Sequence, residues 1–523
     1  MEGMMPPFHF LFFSKPSVYI DQNSSVKTFF SRNGILILGF IFILSLIALI
    51  AVGLAQNKKL PDNFKYGIVF DAGSSHTSMY IYKWSAEKMN DTGLVYETAS
   101  CEVKGPGISS YASNLQDIPV YLSKCMGKAK DLIPKYKHQD TPLYLGATAG
   151  MRLLRMENEE LAKMILSAVT SLFNSYPFNF QGARIISGFE EGAYGWITIN
   201  YLLGKLEKHN WKNQFLRENE TQDTYGALDL GGASTQITFV TSTQISKQFK
   251  KTTQFRLYGK NYTVYTYSYL CHGVDQALLR KLALNAKDAS PGALMEPCFH
   301  PGYERTVLTS SLFSSVCTKI YKNWISSRNL TIQGTGNFQK CKESITELFQ
   351  NNYCNASYCT FDMIYRPPTE GHFGAFSAYY YAMDFLNLTS DKVSSLDMVT
   401  HKMEEFCSTP WSVVNTAFPQ VKEKYLSEYC FSGTYVLTLL QKYNLTEYWT
   451  QVEFMDKINN KTEAGWTLGY MLNLTNMIPA ELPQSKPFSH PTYISLMVIF
   501  SLLLAIVFIL GSVMFQKSSY FWK

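Results

Sequence analysis

The stretch that decides the fold is YGIVFDAGSSHT, residues 66–77, and a related stretch, YGALDLGGASTQ, follows at residues 225–236. Each copy begins as an apolar strand, continues through Asp-x-Gly and small residues, and returns as a second strand with alternating apolar residues. The repeated unit is therefore a hairpin with a tight tip. Two such copies, far apart in the chain, predict an α/β fold duplicated into two lobes, with one hairpin in each lobe.

The small residues at both hairpin tips suit an anionic ligand. Glycine lets the backbone approach an anion and aim N–H groups at it, and hydroxyl side chains add donors. The tip hydroxyls belong to Ser74, Ser75, Thr77, Ser234 and Thr235. Asp71 and Asp229 would repel phosphate unless a divalent cation lay between them, so they indicate a metal held through water, as Mg²⁺ prefers. One such turn is more often only a turn, but two matching copies favour phosphate binding.

A third small-residue turn follows the strand that begins at Tyr144. The sequence reads YLGATAGMR over residues 144–152, which predicts a strand, a turn and a helix that runs on to Val169. Such a turn can place the Thr148 hydroxyl and the helix N–H groups at an anion. Close packing of a helix on a strand explains the same small residues equally well.

Two adjacent carboxylates, Glu190 and Glu191, occur in IISGFEEGAYGW, residues 185–196, where a helix is predicted to begin. Acidic side chains at this position complement the partial positive charge of a helix N-terminus. The alternative is that one of them is a general base that activates water for attack on phosphorus. These residues alone leave both interpretations open.

An aromatic-rich helix is predicted to open in GHFGAFSAYYY, residues 371–381. Aromatic residues at helical spacing more often belong to a core. The small residues beside them could instead form the floor of a pocket in which a nucleobase stacks on an aromatic ring.

Two uncharged apolar stretches, residues 35–55 and 493–515, are each long enough to cross a bilayer core of about 30 Å as a helix. No small-residue cleavage site follows the first, which therefore indicates a retained signal-anchor. A buried core helix is the alternative, but such helices seldom stay uncharged over this length. The predicted organisation is a cytosolic tail (1–34), the first span, an ectodomain (56–490), the second span and a second cytosolic tail (516–523).

The segment between the spans holds all ten cysteines, and an even number suits full pairing in an oxidising compartment, without deciding which cysteines pair. The same segment carries nine N-x-S/T sequons, at Asn90, Asn219, Asn261, Asn329, Asn355, Asn387, Asn444, Asn460 and Asn473. Both features predict an extracellular segment with cytosolic termini. The positive-inside rule is obeyed by Lys27, Arg32 and Lys517 on the predicted cytosolic flanks. It is obeyed poorly on the outer flank, which carries Lys58 and Lys59.

Charge and composition argue against two broad classes of protein. The formal net charge is +6, but the charges are dispersed without a basic stripe, so nucleic-acid binding has little support. Hydrophobic residues make up 46% of the chain and charged residues 17%, which argues against long disordered spans.

Five of these stretches together resemble the apyrase-conserved regions of the ectonucleoside triphosphate diphosphohydrolase (apyrase) family, in the family's order and spacing. They are Ile68–Trp84, Tyr144–Leu154, Ile185–Leu203, Ala227–Phe239 and Phe373–Leu386. The similarity covers Val26–Lys523 and is greatest to type-one members in Lys422–Phe431 and Gly465–Glu481. The resemblance implies a duplicated, actin-like ribonuclease-H fold with nucleotide in the cleft between the lobes. It also implies hydrolysis of ATP and ADP to AMP with Ca²⁺ or Mg²⁺ at the plasma membrane, which terminates purinergic signalling.

The resemblance further implies individual roles, with Glu191 as the base and Glu190 as its neighbour. The implied residues are the catalytic Glu191, Thr148, Ser234 and Gln236; the phosphate-binding Ser74, Ser75, His76, Thr77, Gly231, Gly232, Ala233 and Arg152; the nucleoside-binding Ser377, Tyr381 and Tyr425; and Asp71 and Asp229, which hold the metal through water. The implied disulfides are Cys101–Cys125, Cys271–Cys317, Cys298–Cys341, Cys354–Cys359 and Cys407–Cys430. No lysine or histidine nucleophile is evident, so direct attack by water is expected.

Two features depart from the family pattern. Residues Met1–Ser25 have no counterpart in the relatives and include the apolar run Phe8–Phe13, which is either an alternative start or a targeting element. Val274 stands where relatives tend to carry a basic residue, which leaves nucleotide contact at this position open.

The sequence disfavours three alternatives to a cell-surface hydrolase. An actin-like kinase is disfavoured by Glu191 and by the extracellular cysteines, and a non-enzymatic receptor by the intact phosphate loops. A Golgi or lysosomal enzyme is disfavoured by the match to plasma-membrane members at both ends of the chain. The spans could also pair between chains in a homo-oligomer, with Gly39, Gly53 and Gly511 as packing positions.

Overall fold

A computed structural model of the chain describes residues 23–58, 64–85, 92–206, 224–241, 251–289, 293–324, 329–349, 361, 364, 366–389, 395–446, 449–458, 462–475 and 486–520. The chain divides into two compact units, of which the terminal unit comprises 1–63 and 483–523 and the central unit 64–482. Some expectations fall outside the described residues. They concern the run Phe8–Phe13, the pair Cys354–Cys359 and the sequons at Asn90, Asn219, Asn355 and Asn460.

Helices form the described part of the terminal unit and alternate with strands in the central unit. In chain order, the described helices are α1 (Asn23–Asn57), α2 (Ile118–Leu132), α3 (Ala149–Glu157), α4 (Glu159–Asn174), α5 (Gly188–Leu202), α6 (Val274–Asn285), α7 (Thr309–Leu312), α8 (Phe338–Glu347), α9 (Ala378–Phe385), α10 (Leu396–Ser408), α11 (Trp411–Ala417), α12 (Glu423–Lys442), α13 (Trp466–Thr475) and α14 (His490–Tyr520).

All the described strands belong to the central unit. They are β1 (Phe64–Ala72), β2 (Thr77–Ser85), β3 (Val95–Val103), β4 (Pro142–Ala147), β5 (Asn179–Ile185), β6 (Gly226–Leu230), β7 (Ser234–Val240), β8 (Thr252–Leu257), β9 (Lys260–Leu270), β10 (Ala293–Glu296), β11 (Glu304–Leu308), β12 (Asn329–Gly334), β13 (Phe373–Ser377), β14 (Val452–Phe454), β15 (Lys457–Ile458) and β16 (Thr462–Glu463).

Two large sheets repeat one plan around the two predicted hairpins. The first sheet has the order β3-β2-β1-β4-β5 and the second the order β14-β13-β6-β7-β9-β8. In each sheet the hairpin is antiparallel, as β1 with β2 and β6 with β7, and its first strand also pairs in parallel with a later strand, β4 or β13. The duplicated hairpins therefore occupy corresponding positions, and each ends at the carboxyl edge of parallel strands.

Burial on both faces explains the apolar character of the strands. In β1, Ile68, Val69 and Phe70 are fully buried, and in β6, Leu228 and Leu230 are fully buried as well. Helices cover both faces of such sheets, so the strands read as continuous apolar runs.

Two predictions about helices are wrong in detail. The helix that starts after the Thr148 turn ends at Glu157, and a second helix, α4, begins at Glu159 because the Asn158 side chain accepts a hydrogen bond from Leu161 N and caps a new N-terminus. The aromatic-rich stretch does not open as a helix. Its first part, Phe373–Ser377, is strand β13, because parallel pairing with β6 overrides the local helical pattern.

The terminal unit contains two long apolar helices. Asn33–Asn57 of α1 and His490–Met514 of α14 are long and apolar enough to cross a membrane, and they contain the predicted spans. Large apolar side chains on them are exposed, such as Leu36 at 74% and Phe508 at 67%. Neither helix is therefore the buried core helix considered as the alternative. The two helices pack against each other along their length.

Four disulfides link described cysteines of the central unit. They are Cys101–Cys125, Cys271–Cys317, Cys298–Cys341 and Cys407–Cys430. These are the pairs that the family resemblance implied for those cysteines. Of the described sequon asparagines, Asn261, Asn329, Asn387 and Asn444 are exposed and Asn473 is half-buried.

Candidate active site

Asp71 and Asp229 lie at matching positions of the two hairpins. The parallel neighbour of Asp71 is Gly146 of β4, and the parallel neighbour of Asp229 is Phe376 of β13. Asp229 is buried, and Oδ1 of Asp71 is a buried atom without a hydrogen-bond partner among the described residues. An unpartnered buried carboxylate oxygen is costly, so this one indicates a missing positive or hydrogen-bonding group.

The electrostatics of the site point in the same direction. Burial raises the pKa of Asp71 well above its ordinary value, and the nearby charge of Glu191 raises it further. Burial also raises the pKa of Asp229 to about 7, with Glu191 adding to the shift and a hydrogen bond from Ser377 opposing it. Both carboxyl groups therefore ionise reluctantly unless a cation neutralises the site.

Glu191 is held by side chains from two other segments. Arg152 Nη2 donates to Glu191 Oε2 over 2.7 Å, and Gln236 Nε2 donates to the same oxygen over 3.1 Å. Both donors also reach Ser234 Oγ, over 2.9 Å and 2.7 Å respectively. These four side chains are buried. Within the described part of the chain no donor reaches Glu191 Oε1, so this oxygen can accept a hydrogen bond from water.

Local sequence decides which of the two adjacent glutamates enters this network. Ser187 caps α5, because its side chain accepts from Glu190 N over 3.2 Å while Glu190 Oε2 accepts from Ser187 N over 2.9 Å. Arg184 forms an ion pair with Glu190 over 2.8 Å. Glu190 therefore has the helix-capping role, and Glu191, one position further round the helix, faces Arg152.

The two hairpin tips approach each other closely. A Cβ atom at Gly232 would lie 2.8 Å from Ser74 Oγ and 2.5 Å from Asp275 Oδ2. A Cβ at Gly150 would lie 2.8 Å from Ser74 Cα. At Gly150 an added side chain would meet the backbone of the first tip, whereas at Gly232 the ends of the Ser74 and Asp275 side chains would have to move. Small residues in the Thr148 turn are thus explained by close approach to the first tip.

The rest of the first tip divides into exposed and buried groups. Ser75 Oγ lies 3.2 Å from His76 Nδ1, and both residues are exposed, whereas Thr77 is fully buried at the start of β2. Thr148 is buried beside this tip, where its N–H donates to Ala72 O over 3.1 Å. The structure therefore brings Thr148 next to the end of β1, at the same edge as Asp71.

Backbone hydrogen bonds hold the second tip. Gly231 N donates to Ser234 O over 3.0 Å, and Val274 N donates to Gly231 O over 2.9 Å. Cys271 N donates to Ala233 O over 2.9 Å. Val274 thus secures the tip through its backbone, while its partly buried side chain packs against the core of the second sheet.

The three predicted nucleoside-binding residues lie in and beside α9 and α12. Ser377 precedes α9 with φ at 58°, a conformation that residues with side chains seldom adopt and that often marks a functional site. Tyr381 is 49% exposed, and its hydroxyl donates to Asp456 Oδ1 over 2.9 Å. Tyr425, near the start of α12, is 47% exposed. The two helices that carry or adjoin these residues pack against each other.

The carboxylates at the hairpin ends fit a divalent cation held through water. The site contains three carboxylates, those of Asp71, Asp229 and Glu191, and among the described residues Arg152 forms an ion pair with Glu191. Oxygen is the ligand that Ca²⁺ and Mg²⁺ prefer, and Mg²⁺ often keeps several waters. No group of three His, Cys, Asp or Glu side chains close enough to share a metal directly occurs in the described ranges.

Two residues at the site were missed by sequence reasoning. Ser268 lies opposite Gln236 in the pairing of β7 with β9, and its Oγ accepts from Gln236 Nε2 over 2.9 Å. Trp466 of α13 packs against β4 so closely that a Cβ at Gly146 would lie 2.3 Å from its ring. No sequence signal identified either residue, because each depends on contact with a distant strand.

Comparison with known proteins gives consistent results. Residues 57–489 match the GDA1/CD39 (nucleoside phosphatase) family. The chain is 56% identical to ectonucleoside triphosphate diphosphohydrolase 1 of Mus musculus, with 96% of this chain and 99% of that protein covered. It is 47% identical to ectonucleoside triphosphate diphosphohydrolase 8 of Bos taurus, with 84% and 88% covered.

A solved structure shows the same fold at low sequence identity. The nucleoside triphosphate hydrolase structure from Neospora caninum superposes with a TM-score of 0.58 at 15% identity, over 80% of this chain and 93% of that one. This likeness shows that the duplicated α/β architecture is shared. The family model matches the whole central unit, and the chain is 56% identical to one of its relatives. The chain therefore belongs to the GDA1/CD39 (nucleoside phosphatase) family.

Proposed function

We propose that this chain is an ecto-apyrase that hydrolyses extracellular ATP and ADP, and other nucleoside tri- and diphosphates, to the monophosphate and phosphate. Its relatives are named ectonucleoside triphosphate diphosphohydrolases, which supports this reaction class. The observation that carries the proposal is the buried Glu191 carboxylate, which has two donors on Oε2 and an open Oε1. A fixed carboxylate with one free oxygen is suited to accept a proton from water.

Gln236 supports the same role for water. Its Oε1 is buried and has no hydrogen-bond partner in the described part of the chain, while its Nε2 is fixed on Glu191 and Ser234. A water molecule that donates one proton to Glu191 Oε1 can donate the other to Gln236 Oε1. Such a water would be oriented for in-line attack on the terminal phosphorus, with Glu191 as the general base and Thr148 and Ser234 beside it.

The phosphate chain would be bound by the two hairpin tips. Backbone N–H groups in small-residue loops bind anions well, and the exposed Ser75 and His76 can contribute side-chain donors. The close approach at Gly232 and Ser74 would let both tips bind one polyphosphate. Arg152 neutralises Glu191 and donates to Ser234, which places its positive charge beside the tips.

A divalent cation completes the site in this proposal. Asp71 and Asp229 would hold Ca²⁺ or Mg²⁺ through water molecules, and the ion when bound supplies charge neutralisation for the phosphate oxygens. The raised pKa values of both aspartates and the unpartnered Asp71 Oδ1 support a cation there. The exposed rings of Tyr381 and Tyr425 are proposed to bind the nucleobase, with Ser377 at the ribose.

The location proposed for the enzyme is the plasma membrane. The α1 and α14 helices would span the bilayer, with the central unit outside the cell and both termini in the cytosol. The disulfides and the exposed sequon asparagines support an extracellular central unit. Association of the spans between chains would be a route to homo-oligomers. The domain bounds that we propose are those predicted from the sequence.

The test is phosphate release at the surface of intact cells that express the full chain. ATP, ADP and AMP are offered with Ca²⁺ or Mg²⁺, and then with EDTA, to wild type, Glu191→Gln and Glu190→Gln. We expect release from ATP and ADP but not from AMP, loss of release with EDTA and in Glu191→Gln, and retention in the neighbouring control Glu190→Gln. Absence of release from ATP by a folded, surface-exposed wild type would overturn the proposal.

A further inference from the structure

A tyrosine and a carboxylate meet beside the region proposed for nucleoside binding. The hydroxyl of Tyr381, in α9, donates to Oδ1 of Asp456 over 2.9 Å. Tyr381 is 49% exposed, and Asp456 is half-buried. The contact therefore fixes the polar end of the tyrosine ring, while part of the side chain remains open to solvent.

Sheet topology places Asp456 at the edge that carries the candidate active site. Strands β6, β13 and β14 are parallel neighbours, so their carboxyl ends meet at one edge of the second sheet. Asp229 lies one residue before the end of β6, Ser377 ends β13, and Asp456 follows two residues after β14. Ligands of α/β sheets bind at the carboxyl ends of the strands. Asp456 therefore lies at the edge where a nucleotide is proposed to bind, although no sequence signal identified it.

Backbone hydrogen bonds hold Asp456 in place from two directions. Met455 N donates to Ala375 O over 2.9 Å, which continues the pairing of β14 with β13 as far as the residue before Asp456. Ala464 N donates to Asp456 O over 2.8 Å, which ties Asp456 to the segment after β16. The carboxylate therefore extends from a fixed backbone, and it can serve as an anchor for the more exposed tyrosine.

Fixing the Tyr381 ring changes the free energy that a bound base must supply. A half-exposed tyrosine that is free to rotate loses rotamer freedom when a base stacks on it, and this loss reduces affinity. A hydrogen bond to a carboxylate is stronger than one between neutral groups, so it can hold the ring before the nucleotide arrives. Burial raises the pKa of the Tyr381 hydroxyl, and the charge of Asp456 raises it further, so the hydroxyl keeps its proton and remains the donor.

We propose that Asp456 is a positioning residue for nucleobase binding and that it acts only through the hydroxyl of Tyr381. This role rests on the proposed function, in which the Tyr381 ring binds the base. Because stacking on an aromatic ring tolerates every base, a ring held in place favours all nucleotides alike. Asp456 therefore strengthens nucleotide binding and leaves the cleavage step unchanged.

The test measures KM and kcat for ATP and UTP with the full chain, as wild type, Asp456→Ala and Asp456→Asn. We expect KM for both nucleotides to rise about fivefold in Asp456→Ala, with kcat within about twofold of wild type, because one hydrogen bond to a charged group is lost. Asp456→Asn keeps an acceptor for the hydroxyl and should recover most of the affinity. Tripolyphosphate, which has no base, should compete with ATP with the same inhibition constant in every variant.

Two further variants separate positioning of the ring from direct contact with the base. Tyr381→Phe keeps the ring but removes the hydroxyl, so KM should rise as in Asp456→Ala and should rise no further in the double variant. The matched control is Glu453→Ala in β14, because Glu453 Oε1 accepts from the hydroxyl of Tyr225 over 2.8 Å, and Tyr225 precedes β6 at the opposite edge of the sheet. This control should keep the KM of wild type.

The outcomes distinguish this role of Asp456 from the proposed hydrolysis. Wild-type KM in Asp456→Ala, alongside ATP hydrolysis by the wild type, would overturn the role and leave the proposed function intact. A loss confined to ATP, or an additive loss in the double variant, would show that Asp456 contacts the base directly and would also overturn the role. A wild type that does not hydrolyse ATP would overturn the proposed function and, with it, the role of Asp456.

Discussion

Arg152 and Glu191 form an ion pair of 2.7 Å in which each side chain is only 9% exposed. Arg152 comes from the helix after the Thr148 turn, and Glu191 comes from the first turn of α5. The pair joins α3, which packs on β4 of the first sheet, to α5, which packs on β6, β7 and β9 of the second sheet, and Arg152 also donates to Ser234 at the second hairpin tip. This one guanidinium therefore links the proposed base to both halves of the duplicated fold.

Replacing Arg152 with methionine should damage both activity and stability. The variant leaves the Glu191 carboxylate buried without its cation, and breaking one side of a buried pair costs about 3–5 kcal/mol. We expect kcat for ATP to fall by at least about 100-fold, with a lower melting temperature. The matched control is Arg155→Met, because Arg155 is exposed on the same helix. Wild-type kcat in Arg152→Met would show that the pair has no catalytic part.

Gln236 should matter more for turnover than for substrate binding. Gln236→Met removes the amide that contacts Glu191 Oε2 and the free Oε1 proposed to receive water. We expect kcat to fall by about 100-fold with a much smaller change in KM, because water orientation belongs to the chemical step. Ser268→Ala removes only a support of Gln236 and should cost less than about tenfold. Equal losses in kcat and affinity would contradict this assignment.

Gly232 and Gly231 form a matched pair for testing the approach of the hairpin tips. Gly232→Ala would place a Cβ 2.5 Å from Asp275 Oδ2 and 2.8 Å from Ser74 Oγ, whereas at Gly231 the nearest atom is 3.4 Å away. We expect Gly232→Ala to weaken ATP binding by at least about tenfold, because the Ser74 and Asp275 side chains must move away from the added methyl group. Gly231→Ala should have a smaller effect. Binding of a non-hydrolysable ATP analogue, measured by calorimetry, distinguishes the two.

The pH dependence of stability should respond to Glu97. Its pKa is raised, chiefly by burial and further by the charge of Glu463, so the folded state favours the protonated form. A raised acid pKa contributes stability that is present below the unfolded value and is lost as pH rises through the folded value. Glu97→Gln should therefore raise the apparent melting temperature at pH 7, and its advantage should shrink towards pH 4. Thermal melts between these pH values measure it.

The control for this experiment is Glu102→Gln, an exposed position on the same strand β3. This substitution removes the same charge, but from an exposed side chain. The melting temperature of Glu102→Gln should therefore equal that of wild type across the pH range. A pH-independent effect of Glu97→Gln would mean that packing, and not ionisation, is responsible.

The sequence by itself determined the features that depend on local pattern. The two Asp-x-Gly hairpins, the spans and a helix start beside Glu190 and Glu191 were predicted, because strand alternation, apolar length and acidic residues at a helix N-terminus are local signals. The family resemblance, and not the sequence pattern, implied the four described disulfides, and the structure contains all four.

Tertiary structure decided what depends on contact between distant segments. Phe373–Ser377 has a helical pattern but forms a strand, because β6 offers a parallel neighbour that local sequence does not reveal. Arg152 meets Glu191, and Ser268 meets Gln236, only once the sheets are assembled. The sequence pointed to two adjacent glutamates as candidates. The local capping box engages Glu190 and turns Glu191 to another face of the helix, but the buried network around Glu191 exists only because Arg152 and Gln236 come from distant segments.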